Sequence, residues 1–224
     1  MDLVTLARSD EDGFDIALRR RGNGPGAIDE LIVNGAFAMD SAETQSEKVL
    51  AETFGENPGS VLVGGLGLGF TTQRLLQLGA TRVDVVEISG ALIGWARDGL
   101  TPVLAEVTAD PRVHLHHADI ADVLTAPPAL PGFLGPWDGI ALDVDNGPDF
   151  LIVAQNERVY APSTLELAIT QLAPGGRLAI WSQGPSKQLF YDLSRLGDAT
   201  ETLVPLRRGD REMDYAVYVL PTPA

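Results

Sequence analysis

The chain contains no cysteine and comparatively few basic residues. Without cysteine among its 224 residues there can be no disulfide framework, no thiolate zinc site and no cysteine nucleophile. Lys and Arg total 16 against 31 Asp and Glu, which gives a net charge of −15. Such an acidic surface repels phosphate backbones and anionic lipids, so it argues against nucleic acid and membrane as partners. A cationic or neutral small molecule is the substrate class that this charge favours.

Long apolar runs are also missing. No stretch approaches the roughly 20 residues that a bilayer-spanning helix needs, and the first residues have neither the basic flank nor the apolar run of a secretory signal. We therefore expect a soluble, cytoplasmic protein. Apolar residues make up 45% of the chain and charged residues 21%, which is enough for a sizeable core. The length predicts one domain of ordinary size with a small appendage.

Residues 1–45 are expected to form that appendage. Three short strand-like runs, separated by glycine-rich turns, lie at 3–8, 14–19 and 30–34, and Asn34-Gly35 predicts a further turn. We interpret this segment as a small antiparallel hairpin or meander. It is too small to be stable alone and must pack on the larger domain or on a second subunit.

Residues 46–224 alternate strand and helix signals. Helices are predicted at 46–54, 70–78, 91–97, 120–124, 164–172 and 187–196. Strands are predicted at 61–63, 82–88, 113–117, 139–143, 177–181, 201–206 and 215–220, and the Pro-rich stretch at 127–131 is predicted to be a surface loop. The alternation predicts an α/β domain whose parallel sheet is covered by helices on both faces. The last two strands, joined by a short connection, predict an antiparallel edge.

A glycine-rich loop, Gly64-Gly65-Leu66-Gly67-Leu68-Gly69, follows the first strand of this domain and precedes a helix. Glycine lets a backbone turn tightly and approach a ligand without a Cβ in the way. The dinucleotide pattern GxGxxG fails because its last position is Phe70, and no GK[ST] follows, as a triphosphate loop requires. The pattern that fits is GxGxG over Gly65, Gly67 and Gly69, which suits a nucleoside with no pyrophosphate to hold.

Two acidic residues follow the next two strands. Glu87 ends the second strand of the domain, and in open α/β sheets ligands bind outside the carboxyl ends of the strands. Its carboxylate can accept both hydroxyls of a ribose, or it can be an ordinary strand-end acid that faces water. Asp119 follows the third strand, where it can accept an adenine amino group, cap the helix that follows, or do both.

Together these residues resemble the class I S-adenosylmethionine-dependent methyltransferase fold and, within it, the spermidine synthase-like family. The resemblance runs from about residue 32 to 220 and includes the upstream β unit, which plain methyltransferases usually lack. It implies a Rossmann-like, mostly parallel seven-stranded sheet with an antiparallel edge, plus the small N-terminal β unit. It also implies S-adenosylmethionine as cofactor, bound by Gly65, Gly67, Gly69, Glu87, Ile88, Asp119, Ile120 and Asp143. A homodimer formed through the N-terminal unit would follow from the same resemblance.

The chain departs from this family at residues that bind amines. Aminopropyltransferases carry an aspartate inside the glycine loop, which holds the amine of decarboxylated S-adenosylmethionine, and Gly67 stands at the matching place. Ala38 and Glu47 stand where a glutamine and a tyrosine are expected, and Asn146 replaces a later acid. The missing loop acid also removes a negative charge from beside the carboxylate of intact S-adenosylmethionine. These departures favour methyl transfer.

The segment after the fourth strand, 143–149, supplies the catalytic candidates. If Asp143 and Asp145 are still extended, their side chains point to the same face, where two carboxylates can bind a cationic amine. One of them can then have its pKa raised enough to act as a base. The match to the family makes Asp143 the first choice for base or substrate anchor, with Asp145 and Asn146 against the substrate. The alternative is that Asp145 and Asn146 cap the loop through turn hydrogen bonds.

Tyr160 and Trp181 lie near strand-end loops and can line the acceptor pocket or simply pack in the core. We expect no metal, because the residues from Trp181 to Gly184 lack the acid that magnesium-dependent O-methyltransferases place after this strand. The three histidines at 114, 116 and 117 are interpreted as ordinary strand residues, since alternation places His117 opposite the other two.

The sequence thus predicts a S-adenosylmethionine-dependent methyltransferase that acts on a small molecule at nitrogen. The first alternative is aminopropyl transfer to a polyamine. The others are a different S-adenosylmethionine reaction, such as cyclisation or aminocarboxypropyl transfer, and a fold that only binds. The glycine loop and Glu87 argue against loss of cofactor binding.

Overall fold

The computed structural model describes residues 2–11, 13–126, 135–208 and 211–223. The loop predicted at 127–131 lies outside the described residues. The strands form two sheets, one of four strands at the N-terminus and one of seven strands in the rest of the chain. Within the described ranges, none of the helices has the length and apolar character needed to cross a membrane.

The N-terminal sheet is antiparallel, and its strands lie side by side in chain order. They are β1 (Leu3–Glu11), β2 (Phe14–Arg21), β3 (Ile28–Val33) and β4 (Ala36–Asp40). Asn34 and Gly35 make the tight turn between β3 and β4 with φ of 50° and 74°, as an Asn-Gly pair favours. The sequence pattern does not predict β4, which is too short to show clear alternation. The division of the chain at residue 45 stays a prediction.

The second sheet has the strand order β10-β11-β9-β8-β5-β6-β7. Its strands are β5 (Ser60–Gly64), β6 (Arg82–Glu87), β7 (Val113–His117), β8 (Trp137–Leu142), β9 (Leu172–Ser182), β10 (Thr200–Arg208) and β11 (Arg211–Pro221). The first five are parallel, and β11 and β10 add an antiparallel edge beside β9. The predicted α/β fold class, with its mostly parallel seven-stranded sheet, is confirmed.

Seven α-helices connect these strands within the described residues. They are α1 (Gln45–Glu52), α2 (Phe70–Gln77), α3 (Gly90–Arg97), α4 (Pro102–Ala109), α5 (Ile120–Thr125), α6 (Pro162–Thr170) and α7 (Lys187–Ser194). A 3₁₀-helix, Ala154–Tyr160, lies between β8 and α6. The sequence pattern misses α4 because its apolar residues are not confined to one face, although Thr101 caps its start and Pro102 is its first residue.

The large sheet carries an apolar layer on each face. Along β5, Val63 belongs to one layer and Leu62 to the opposite one, as strand alternation requires. Leu18 and Leu31 of the N-terminal sheet belong to the same layer as Val63, together with Leu50 of α1. The N-terminal sheet therefore packs on the larger domain through a shared core.

Candidate active site

A cavity lies at the carboxyl ends of β5, β6 and β8, where the winding of the parallel strands reverses direction. Such a reversal is the usual ligand site of an open α/β sheet. The N-terminal sheet closes the opposite side through Phe14, Ile16, Leu31 and Val33. The empty space measures about 1150 Å³, including the part open to solvent, which leaves room for a nucleoside and a second small molecule.

The glycine loop lies against the segment that follows β8. Gly65, Gly67 and Gly69 have φ of 93°, 50° and 89°, the left-handed region. A Cβ at Gly65 would overlap the carbonyl oxygen of Asp143, and one at Gly67 would lie 2.7 Å from the Met39 sulfur. Gly65 and Gly67 line the cavity, whereas Gly69 caps the start of α2 and faces α4. The structure thus brings two of the three predicted glycines to the cavity wall.

Glu87 ends β6 with its side chain buried and ties two loops together. Its Oε2 accepts the Leu66 N–H at 2.9 Å, and its Oε1 accepts the Ser89 N–H at 2.8 Å. Burial raises the pKa of this carboxyl, and the hydrogen bonds from backbone N–H groups partly oppose that rise. A carboxylate oxygen can accept more than one hydrogen bond, so both oxygens keep capacity for ribose hydroxyls. Ile88, the next residue, also lines the cavity.

Asp119 caps α5 and lines the same cavity beside Ile120. Its Oδ1 accepts the Ala121 N–H at 2.8 Å. Its Oδ2 accepts a hydrogen bond from the Arg158 guanidinium at 3.3 Å. Helix capping is therefore present, and it leaves the carboxylate at the cavity wall where an adenine amino group could reach it.

Asp143 is the first residue after β8 and lies partly buried in the cavity wall. Its backbone N–H donates to the Gly64 carbonyl at 2.9 Å, and its Oδ2 accepts the Thr71 hydroxyl at 2.6 Å. Burial raises the pKa of Asp143 to about 6, although the Thr71 hydrogen bond lowers it. The side chain is thus fixed from α2 and remains open to the cavity.

Glu47 is a cavity residue that the sequence marks only as a departure from the family. It lies in the first turn of α1, is 5% exposed and lines the cavity. The Ser46 hydroxyl donates to its Oε2 at 2.6 Å. Burial and the negative charge of Asp143 raise the pKa of Glu47 to about 7. An acid early in a helix is common, so only its burial against the cavity distinguishes it.

The structure argues against the expected role of Asp145 as a base or substrate contact, because hydrogen bonds within its own loop occupy its carboxylate. The residue has φ of 57°, so the chain is no longer extended and the side chain does not share a strand face with Asp143. The carboxylate accepts the N–H groups of Asn146, Ile152 and Val153 at 2.7, 2.7 and 2.8 Å, and the Asn156 side-chain amide at 2.9 Å. Four hydrogen bonds fill its usual acceptor capacity, which leaves no free site for a base.

Three other residues are expected to contact the substrate, and they differ in whether they line the cavity: Asn146, Tyr160 and Trp181. Asn146 and Trp181 line it. Tyr160 does not line it, because its ring is buried behind the wall and its hydroxyl donates to the Val144 carbonyl. Trp181 packs edge-on against Tyr215 with ring centroids 5.1 Å apart, and its buried indole N–H has no hydrogen-bond partner among the residues that the structure describes.

The charge of the cavity wall is of one sign. Six acids line it: Glu43, Glu47, Glu87, Asp119, Asp143 and Asp145. Among the described residues that line it, none is Lys, Arg or His. A wall of this kind attracts cations and repels carboxylates.

The histidines of β7 make ordinary strand contacts. His116 Nε2 lies 2.7 Å from a carboxylate oxygen of Asp84, and His117 Nε2 lies 3.0 Å from the Ile88 carbonyl oxygen. Asp84 also pairs with Arg82 at 2.5 Å. In the part of the chain that the structure describes, no three His, Asp or Glu side chains are arranged to hold a metal ion.

Comparison with curated proteins finds polyamine aminopropyltransferases from two strains of Mycobacterium tuberculosis and from Mycobacterium bovis. Each is 32% identical to this chain over 177 residues, which cover 76% of the chain and 31% of the relative. The chain thus spans about a third of the length of these relatives. No family model matches it.

Comparison with solved structures finds spermidine synthases. The enzyme from Thermotoga maritima superimposes with a TM-score of 0.76 and is 15% identical in sequence. A spermidine synthase in complex with the transition state analogue AdoDATO superimposes with a TM-score of 0.74 and is 16% identical. Each alignment covers 97% of this chain and 72% of the other.

The expectation of methyl transfer is wrong. The relatives that match in sequence are polyamine aminopropyltransferases, and the matching structures are spermidine synthases. The expectation rested on departures at amine-binding residues, among them the missing acid at Gly67, but Glu47 and Glu43 bring negative charge to the same cavity from outside the loop. A carboxylate-bearing ligand such as intact S-adenosylmethionine would be repelled there.

Proposed function

Because this chain has the spermidine synthase-like fold of the class I methyltransferase superfamily, we propose that it transfers an aminopropyl group from decarboxylated S-adenosylmethionine to an amine. The resemblance seen in the sequence is confirmed by these relatives. The proposed donor replaces S-adenosylmethionine, which the sequence analysis expects. The acceptor is proposed to be a primary amine of the polyamine class.

The acidic cavity is the observation that carries this proposal. Six acidic residues line a space in which no lining residue among those described is basic. Amines are cations at neutral pH, and the decarboxylated donor carries a sulfonium and an ammonium but no carboxylate. Electrostatic attraction therefore favours both proposed substrates over intact S-adenosylmethionine.

The residues divide between holding the donor and holding the acceptor. Gly65 and Gly67 allow close backbone approach, and the two oxygens of Glu87, which lines the same cavity, are proposed to accept ribose hydroxyls. Asp119 is proposed to accept the adenine amino group. Asp143, fixed by Thr71, is proposed to hold the acceptor nitrogen in line with the reacting carbon. The donor supplies a carbon activated by the neighbouring sulfonium, so positioning is the main work of the protein.

Binding and product mass together test the proposal. Calorimetric titration should show tighter binding of decarboxylated than of intact S-adenosylmethionine. Incubation with putrescine and the decarboxylated donor should give a product heavier by one aminopropyl group. Tighter binding of the intact form, or a product heavier by one methyl group, would overturn the proposal.

A pair of variants tests whether the effect belongs to Asp143 in the cavity or to any acid of the segment 143–149. Asp143→Asn should lower the rate of transfer by roughly 10²- to 10⁴-fold, because it removes the carboxylate beside the acceptor. Asp149→Asn makes the same change at an exposed residue of the same segment and should leave the rate unchanged. Equal losses in both variants would argue against a role for the cavity.

A further inference from the structure

Two acids from distant parts of the chain meet in this cavity. Glu47 is carried by α1, and Asp143 follows β8. Each is fixed by one hydroxyl, since Ser46 donates to Glu47 at 2.6 Å and Thr71 donates to Asp143 at 2.6 Å. Both carboxyls line the cavity between the glycine loop and the N-terminal sheet.

Two neighbouring acids expose Glu47 to negative charge. Asp143 faces it from the end of β8 and Glu43 from the residues before α1, and the charge of each raises the pKa of Glu47. Tyr215 of β11 lines the same cavity. The basic residues that α2 and β9 bring to α1 bind near its other end, where Arg74 pairs with Glu52 at 2.7 Å and Arg177 donates to the Thr53 carbonyl.

Two carboxylates in so poorly solvated a place are costly to ionise together. Burial and the charge of Asp143 raise the pKa of Glu47 to about 7, and burial raises that of Asp143 to about 6. Without a ligand, the pair therefore retains a proton up to near-neutral pH. A cationic group placed between them would compensate their charge and displace that proton.

We propose that Glu47 is a catalytic base of this site, which binds the reacting ammonium group of the acceptor beside Asp143 and takes its proton. This inference rests on the proposed function of aminopropyl transfer. It assigns a chemical role to a residue of α1 outside both the glycine loop and the segment after β8.

The proton transfer completes the reaction without any further reagent. The Glu47 carboxylate takes one proton from the acceptor ammonium, which frees the nitrogen lone pair. That lone pair forms the new bond to the aminopropyl carbon while the carbon–sulfur bond breaks and its electron pair goes to sulfur. The products are a secondary ammonium, a neutral thioether and the proton on Glu47, which leaves to solvent.

The other acids of the cavity are less suited to this role. Asp145 is fully engaged by its loop, and Glu87 accepts hydrogen bonds from Leu66 and Ser89 on the donor side. Asp143 accepts one hydroxyl, as Glu47 does, but it has the lower pKa of the pair. A general base works best when its pKa lies near the operating pH, and Glu47 meets this condition.

The test is the pH dependence of kcat/KM for putrescine in the wild type, Glu47→Gln and Glu47→Asp. In the wild type, kcat/KM should fall on the acid side with an apparent pKa of about 7. Glu47→Gln should lower kcat/KM at neutral pH by roughly 10²- to 10⁴-fold and remove this acid limb. Glu47→Asp should restore the limb at a reduced rate, which a merely structural role would not do.

A matched control lies on the same helix. Glu52→Gln makes the same change at a residue of α1 that pairs with Arg74 outside the cavity, and it should leave the rate and the acid limb unchanged. Calorimetry should show that Glu47→Gln still binds decarboxylated S-adenosylmethionine, so that a loss of rate is assigned to the acceptor step.

The outcomes separate this inference from the proposed function. If the wild type transfers aminopropyl groups and Glu47→Gln keeps both rate and acid limb, Glu47 is not the base while the proposed function stands. If the wild type transfers none, the proposed function fails and takes the inference with it. Should Glu47→Gln not fold, Glu47→Asp decides alone, because a rate as high as that of the wild type would overturn the inference.

Discussion

Carboxyl groups of different residues serve three different purposes in this protein, and the contacts of each group decide which. Asp145 accepts backbone N–H groups and closes a loop. Glu87 joins the glycine loop to the start of α3 while still facing the cavity. Glu47 and Asp143 have few donors around them, and burial raises the pKa of both. The supply of N–H and hydroxyl donors thus separates structural acids from those available for chemistry.

This difference predicts how stability depends on pH. The pKa of Glu47 rises from 4.5 to about 7 on folding, so the folded state binds protons more tightly than the unfolded state between these values. The free energy of unfolding should therefore fall as pH rises through this range. Glu47→Gln removes the cost of ionisation and should stabilise the protein at mildly alkaline pH by on the order of 2 kcal/mol.

Thermal unfolding of both proteins across this pH range measures the effect. The gain in Glu47→Gln should disappear at acid pH, where Glu47 of the wild type is protonated. Glu52→Gln, at a pair exposed to solvent, should show no such dependence. A Glu47→Gln variant that is less stable at alkaline pH would show that this carboxylate is not under electrostatic stress.

At the scale of elements, the glycine loop packs so closely against the segment after β8 that neither can move without the other. Gly65 has φ of 93°, and a Cβ there would overlap the Asp143 carbonyl oxygen. Gly65→Ala should therefore destabilise the protein by about 1–3 kcal/mol and weaken binding of the decarboxylated donor, because both the loop and Asp143 must move. Calorimetry and denaturant unfolding measure the two effects.

The control for this change is another glycine of the same domain. Gly94 lies within α3, where a Cβ would meet nothing within 4 Å. Gly94→Ala should stabilise the protein by about 0.5–1 kcal/mol and leave donor binding as it is. Similar losses in both variants would mean that the loop is not specifically restricted at Gly65.

Helix and strand boundaries show where local pattern is insufficient. The predicted helix at 164–172 ends at Thr170, and β9 begins at Leu172, earlier than the predicted strand at 177–181. Leu172 pairs with Trp137 of β8, and the register shifts between Trp137 and Gly139. The next pair is Gly139 with Arg177, so Pro174-Gly175-Gly176, where the sequence indicates a turn, lies in a bulge of β9 with φ of 76° at Gly175.

At the scale of the whole molecule, the surface and the cavity carry charge of the same sign. The protein has a net charge of −15, and six acids line its cavity. The proposed cationic acceptor is therefore attracted by the whole protein at long range and by the cavity acids at short range. We expect kcat/KM for putrescine to fall by on the order of tenfold as salt rises from about 0.01 M to 0.15 M. Stopped-flow or initial-rate measurements at constant pH test this, with binding of neutral adenosine as the comparison. Equal salt dependence for both ligands would contradict electrostatic attraction.

The sequence by itself determined the α/β alternation, the glycine loop and the acid at the end of β6, because each depends on residues close together in the chain. It also supports the expectation of a cationic or neutral small molecule as ligand, since net charge needs no coordinates. Only the tertiary structure decided which acids share the cavity. Glu47 enters from α1 because α1 packs against α2, the helix that follows the glycine loop. Asp145 also lines the cavity, but hydrogen bonds within its own loop hold its carboxylate. The proposed transfer of an aminopropyl group depends on that arrangement, since charge acts through space and not along the chain.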